Sequence, residues 1–502
     1  MRRTLALLVA LVALAGCSSG SSTDERSTPA GSSSAGPPAA GRAARGGARD
    51  WGRYGFNAQR SNVGPRAVGF RSPGRLRRHR VRLPGTVDSS PIYLDRVRVG
   101  GRRRDVFFVT TTYGRTLAID AGRRRIVWRF TPQGIAALEG STQITNTTPI
   151  ANPSRRYIYA ASPNGQIHKL SMRSGHEAPG WPVTVTRDPT HEKLAGALNL
   201  SGRYVVAVTG GYLGDEPPYQ GHVLAISRSS GRIVHVFNTL CSDRRQIIEP
   251  PSCGSSDSAI WARAGAVVLP RSHRLLVTTG NAPFDGHRDW GDSVLMLAPA
   301  AKRLLQSYTP ASFKELEDTD GELGSTAPAL LPAPGGRLPR YAMQGGKDGK
   351  VRLLSLRRLD RRTGRAGPET GGELQVLDPP RGPLAFTTPA VWRRGRRVLV
   401  FTADQGGTVA YELRGQPGRL HVLWDNGTAG SSPVLAGGLL YVYDAAKGGL
   451  NVYRPRSGRR VATLPSGSGH WNSPIVVDGR IALSEGDAND HERSGVLDIW
   501  SR

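Results

Sequence analysis

Five acidic residues fall close together at Glu315, Glu317, Asp318, Asp320 and Glu322. Carboxylates this near repel one another, which raises the pKa of at least one and is a route to proton transfer near neutral pH; the same run also reads as a solvated loop. Glu216 stands in Asp215-Glu216-Pro-Pro, a sequence that reads as a loop, and Asn281 follows a glycine, where asparagine is a natural turn residue. His470 and Trp471 lie in Gly-Ser-Gly-His-Trp, which could offer a ligand contact or a packed corner. Cys241 and Cys253 flank the loop CSDRRQIIEPPSC, and no nearby His or Cys completes a metal set, so a disulfide is expected between them. The chain has no HExxH, GxSxG, P-loop or CxxCH pattern.

The elements that must carry these residues are short strands. From Asp88 to Phe130 the chain reads as four: one beginning at Ser90-Pro91-Ile92, one over Asp105–Thr111, one over Thr116–Asp120 and one over Arg125–Phe130. A small residue followed by proline recurs at Ser90, Thr148, Ala327, Thr388, Ser432 and Ser473. A glycine turn before an alternating strand recurs at Gly114, Gly165, Gly221, Gly291, Gly349, Gly406, Gly448 and Gly495. Eight units of four strands predict an all-β fold, an eight-bladed β-propeller of four-stranded antiparallel blades. The last unit, His470 to Arg502, offers only three strands. The alternating segment Arg77–Leu83 lacks a partner, so an N-terminal strand is expected to close the ring in the last blade.

Residues 1–16 combine Arg2-Arg3 with a short apolar run and read as a signal peptide. Leu14-Ala15-Gly16-Cys17 resembles the lipobox of bacterial lipoproteins, which implies lipid attachment at Cys17 and an extracytoplasmic protein anchored to the cell membrane. Residues 17–50 are mostly Ser, Gly, Ala and Pro and read as a tether; 51–502 form the propeller. The net charge is +29, carried by 68 Lys and Arg against 39 Asp and Glu. Only seven of the positives are lysine, and arginine clusters such as Arg102-Arg103-Arg104 and Arg123-Arg124-Arg125 are expected in hairpin turns. No basic helix, zinc finger or RNP-like strand accompanies them, so specific nucleic-acid binding is not indicated. Attraction to an anionic membrane or wall polymer is the expected consequence.

Ala118-x-Asp120 followed by Trp128 resembles the A-x-D…W pattern of the pyrroloquinoline-quinone (PQQ) repeat propellers, and Trp51-Gly-Arg-Tyr54 with Asn57 and Arg60 resembles their leading segment. That family includes calcium- and PQQ-dependent alcohol dehydrogenases and a non-catalytic outer-membrane barrel-assembly lipoprotein. By the dehydrogenase resemblance, Trp261 would be the floor under the quinone, Glu216 and Asn281 would be calcium ligands, Asp318 the base and Lys347 a partner of the quinone oxygens. Asn146 would remain from a stretch whose vicinal cysteines and arginine are replaced here by Ser141-Thr142 and Thr147. Glu317 stands where the tryptophan beside the base belongs.

The missing cysteine pair favours an inherited pocket that needs no cofactor. The leading expectation is therefore a monomeric binding or scaffold lipoprotein, engaging an envelope protein or small ligand at the propeller channel. A PQQ- and calcium-dependent dehydrogenase of an alcohol or sugar is the alternative, and a wall-polymer-binding module the second alternative.

Overall fold

The computed structural model describes residues 49–65, 70, 72–360 and 370–502. The expected signal peptide, Cys17 and nearly all of the expected tether lie outside the described residues. Among the described residues are eight four-stranded antiparallel sheets, seven of them meanders in chain order and the eighth completed by a strand from the N-terminal side. The first blade is Ile92–Val99, Arg102–Thr110, Thr116–Asp120 and Arg125–Phe130. Valine, isoleucine and aromatic residues dominate these strands, as half-buried pleated surfaces require. The eighth blade is Ile475–Val477, Arg480–Glu485 and Gly495–Ser501, completed on its outer side by Arg77–Leu83. That closing strand pairs from Arg77 opposite Ser501 to Leu83 opposite Gly495, as expected. It buries Val81 and Leu83 in the same core as Trp500 and the first and seventh blades.

Strand limits differ from the sequence expectation at two places. Arg102–Arg104 opens a strand rather than forming a turn, because Gly100 and Gly101, at φ 55° and 79°, make the reversal just before it. The strand after Ser90-Pro91 starts only at Ile92, because Ser90 is occupied between blades. Its N–H donates to Thr148 Oγ1 at 3.1 Å, and its hydroxyl donates to the Ser473 carbonyl at 3.1 Å. Thr388 N–H likewise donates to Ser432 Oγ at 2.8 Å. The hydroxyls of Ser90, Thr148 and Ser432 thus tie one blade to the next, which gives the small residue before these prolines a physical reason.

The central hole is crossed by residues 51–64. Trp51 exchanges two backbone hydrogen bonds with Tyr93 of the first blade, and Gly52 and Ala58 carbonyls accept from Ala151 and Val268 of the second and fourth. Ser61 and Asn62 carbonyls accept from Val391 and Leu435 of the sixth and seventh. Arg60 is fully buried and donates to the carbonyls of Tyr54, Ala197 and Leu198 at 2.8–3.0 Å. Burial lowers its pKa to about 9. This segment plugs the ring, so the channel is a closed cup and not a pore.

Between the first and second blades Trp128 packs on Phe108 and donates from Nε1 to the Met172 carbonyl at 2.9 Å. Trp128→Ala removes both the ring and that bond and should cost about 3–5 kcal/mol, measured by urea unfolding. Cys241 and Cys253 are joined by a disulfide closing a 12-residue separation. Cys253→Ser should cost less, up to about 3 kcal/mol, in the same measurement.

Candidate functional site

Each blade is an antiparallel meander, so its connections fall at two ends. The links between blades and the turns joining second to third strands share one end. A cavity of about 280 Å³ opens there. Inter-blade links supply Asn146, Lys193, Trp261, Arg263, Glu322, Phe386, His470 and Trp471, and second-to-third turns supply Tyr212, Asp215, Lys347 and Gln405. Side chains from six blades therefore converge on one cup.

Beneath the cup lies Asp88, wholly buried. Arg263 Nη2 reaches both its carboxylate oxygens at 3.0 and 3.1 Å, while Nη1 donates to its carbonyl at 2.8 Å. Asn146 Nδ2 donates to Oδ2 at 2.7 Å, and His470 Nδ1 lies 2.9 Å from the same oxygen. Burial opposes the charge of Asp88, but Arg263 and then His470 outweigh it and hold its pKa well below the ordinary carboxylate range. Across the cup Glu322 is buried and ion-paired to Lys347 at 2.9 Å, with Ser325 Oγ donating to it at 2.9 Å. Burial raises Glu322 to about 7, against the pull of Lys347. Lys347 also binds Asp320 at 2.8 Å. Burial works against its ammonium, yet Glu322 and Asp320 hold its pKa up.

Lys193 is the odd cation. It is buried, at 7% exposure, and its Nζ makes no hydrogen bond or ion pair with a described residue; the Tyr212 ring centroid lies 5.9 Å away. Burial, then repulsion from Arg263, lowers its pKa to about 8. Apolar walls complete the cup. Phe386 and Trp471 stack at 5.1 Å and 24°, and Trp261 is held edge-on by Tyr219 at 5.9 Å. Gly280 has no room for a Cβ, which would strike the Glu322 carboxylate and press on the Trp261 indole.

Of the residues singled out in the sequence, the structure brings Asn146, Trp261, Lys347, His470 and Trp471 to the cup. Glu216 and Asp318 are exposed and do not line it. Asp318 sits on the short helix Phe313–Thr319, and Glu216 in the loop that also carries Leu213 and Asp215. Asn281 is half-buried behind Gly280, with its Oδ1 lacking a hydrogen-bond partner. Beside the nearby glycine turn Asp292 is buried, and burial followed by repulsion from Glu322 and Glu317 raises it to about 8.

A calcium ion asks for several oxygens at one point. Among the described residues, His, Cys, Asp and Glu side chains converge in threes at Cys241, Cys253 and Asp289, and at Asp88, His470 and Asp487. The first is consumed by the disulfide, and in the second Asp88 is taken by Arg263. Glu216 and Asn281 do not line the cup, and Lys347 is already paired with Glu322 and Asp320, so the calcium ligands that the resemblance assigns are not brought to the cup by these side chains.

Sequence reasoning passed over Lys193, Arg263, Phe386 and Asp88, and named Glu322 only as a member of the acidic run. One signal was available. Two positions before the recurrent small residue stand Asp88, Asn146, Ser325, Phe386 and Trp471, each lining the cup or bonded to a residue that does.

No family model matches the sequence, and no curated protein matches it. Solved structures do match in fold. The quinohemoprotein alcohol dehydrogenase of Comamonas testosteroni aligns over 90% of this chain and 80% of its own, at 14% identity and a TM-score of 0.64. A europium-containing methanol dehydrogenase aligns over 91% of this chain and 98% of its own, at 14% and 0.65. BamB from Moraxella catarrhalis aligns over 85% of this chain and 100% of its own, at 14% and 0.52. The chain has the fold of the PQQ-repeat-type β-propellers, the fold shared by these dehydrogenases and BamB.

Asp88→Asn should leave Arg263 buried opposite a neutral amide and cost about 3–5 kcal/mol at pH 7. Because the folded-state pKa of Asp88 is depressed, its stabilisation is fully present above the ordinary carboxylate range and is lost as pH falls toward the folded value. Unfolding free energies at pH 7 and in the acid range should therefore show the two proteins converging as pH falls.

Proposed function

We propose that the protein is an extracytoplasmic, lipid-anchored binding propeller whose cup takes a small, planar, anionic ligand. The observation that carries this is Lys193, a buried ammonium lining the cavity whose Nζ makes no hydrogen bond or ion pair with a described residue, Asp88 and Asp487 attracting it only from a distance. Leaving a charge so placed is costly unless a partner arrives. Arg263 beside it adds to the positive field, and the Phe386–Trp471 stack and Trp261 offer flat faces to an aromatic or conjugated body. Cys17 supplies the anchor in this reading, and the cup or its rim loops also present a surface to an envelope protein.

The dehydrogenase reading keeps one specific support: Asn146, Trp261 and Lys347 all line this same cavity. It requires calcium to recruit Glu216 and Asn281, which lie apart.

Calorimetric titration of the full chain with PQQ, itself a planar polycarboxylate, and with benzene-1,3,5-tricarboxylate separates the two. The binding reading expects saturable, calcium-independent association, weakened about tenfold or more in Lys193→Met through loss of a charge-assisted contact. Affinity should fall as pH rises through about 8, where Lys193 loses its proton, and rise as pH drops below about 7, where Glu322 becomes neutral. Calcium-dependent binding of PQQ alone, lost in Asn281→Ala, would favour the dehydrogenase. Absence of binding by both compounds at high micromolar concentration would sink both readings.

A further inference from the structure

The positive charge is not spread evenly over the ring. The cup end is built from inter-blade links and second-to-third turns. The opposite end is built from the turns joining first to second and third to fourth strands. All eight blades place arginine in or beside these turns. Arg103, Arg124, Arg203, Arg271, Arg394 and Arg459, from five blades and both turn types, are exposed and without an ion pair.

The carboxylates at this end do not offset them. Asp120, Asp360, Glu412 and Asp478 are each ion-paired to an arginine already. Where the first and last blades meet, burial and then repulsion from Arg124 and Arg77 depress the pKa of His79, the mark of a positive field left uncompensated. The exposed acids lie at the other end, as Glu216, Glu315, Glu317 and Asp318 show. The molecule is therefore electrically two-faced.

We propose that the arginine-bearing face docks on an anionic phospholipid surface, turning the cup away from the membrane. Two features favour a membrane over a polymer strand. The charge is distributed around a whole ring of turns and not along a groove, which suits an extended negative plane. Among the described residues the arginines are not interleaved with a row of exposed aromatic rings for stacking, and the exposed large apolar residue in these turns is Leu338. Arg49 bonds Asp478 at 3.0 Å in the first turn of the eighth blade, so this arginine adds to the same face. The inference does not need the lipid at Cys17, and it does not depend on what the cup binds.

The test uses the full chain carrying Cys17→Ser, so that no lipid contributes, and sedimentation with vesicles of phosphatidylcholine alone or mixed with phosphatidylglycerol. We expect binding to the mixed vesicles only, weakening steeply with added salt. A variant with Arg103, Arg124, Arg271 and Arg394 all changed to serine should bind about tenfold or more weaker. A variant of equal charge loss at the cup end, with Arg187, Arg245, Lys314 and Lys447 changed to serine, should bind within about twofold of the parent, charges beyond a Debye length being screened. All eight positions are exposed, and unchanged thermal unfolding verifies that both variants fold. Failure to bind mixed vesicles, or equal loss in the two variants, overturns the proposal. So does tight binding of soluble polyglycerol phosphate without vesicle binding, which would assign the face to a wall polymer.

Discussion

The antiparallel pairing of Arg77–Leu83 with Gly495–Ser501 holds the two ends of the chain together, and everything else in the ring leans on it. Seven consecutive residue pairs join strands more than four hundred residues apart in sequence. Without them the eighth sheet would have three strands and an unpaired edge. The closing strand also delivers Asp88, five residues after Leu83, to the floor of the cup. Its neighbours on the N-terminal side, residues 51–64, can plug the ring only because the ring is complete, since their backbone partners come from five different blades. Closure, plug and floor are thus consecutive pieces of one N-terminal segment.

The cup is organised by an unequal distribution of buried charge. Asp88 and Glu322 are buried carboxylates, and each has its cation, Arg263 and Lys347. Pairs of this kind contribute little net stability compared with apolar packing, but removing either member leaves an expensive remainder. Lys193 is such a remainder in the native chain. A protein that keeps an unmatched ammonium against aromatic walls has given up some stability at that point, and ligand binding is the ordinary reason for doing so.

The two faces of the ring differ for a topological reason. Turns joining first to second and third to fourth strands make no part of the cup, so they can carry solvated arginine at little cost. Inter-blade links must wrap over the top, pack on one another and cap the cavity, so they carry acids, amides and aromatic residues in specific contacts. A net charge of +29 becomes a directional field because the meander sorts these two kinds of connection to opposite ends.

The propeller was legible in the chain because it depends on local, repeated signals. Strand periodicity, the glycine turns and the small-residue–proline marker each act over a few residues, and eight copies make the pattern redundant. Closure was legible by elimination, from a lone alternating strand at one end and a three-stranded unit at the other. The cup was legible only in part. Asn146, Trp261, His470 and Trp471 belong to inter-blade links, and Lys347 to a second-to-third turn, that share the cup end. Glu216 and Asp318 could not be placed, because whether a loop carboxylate turns inward depends on what neighbouring blades leave open. Lys193, Arg263 and Asp88 lie far apart in sequence, and nothing local marks one lysine as unpaired and another as matched. That distinction is made by long-range electrostatics and burial, which exist only once the ring has closed.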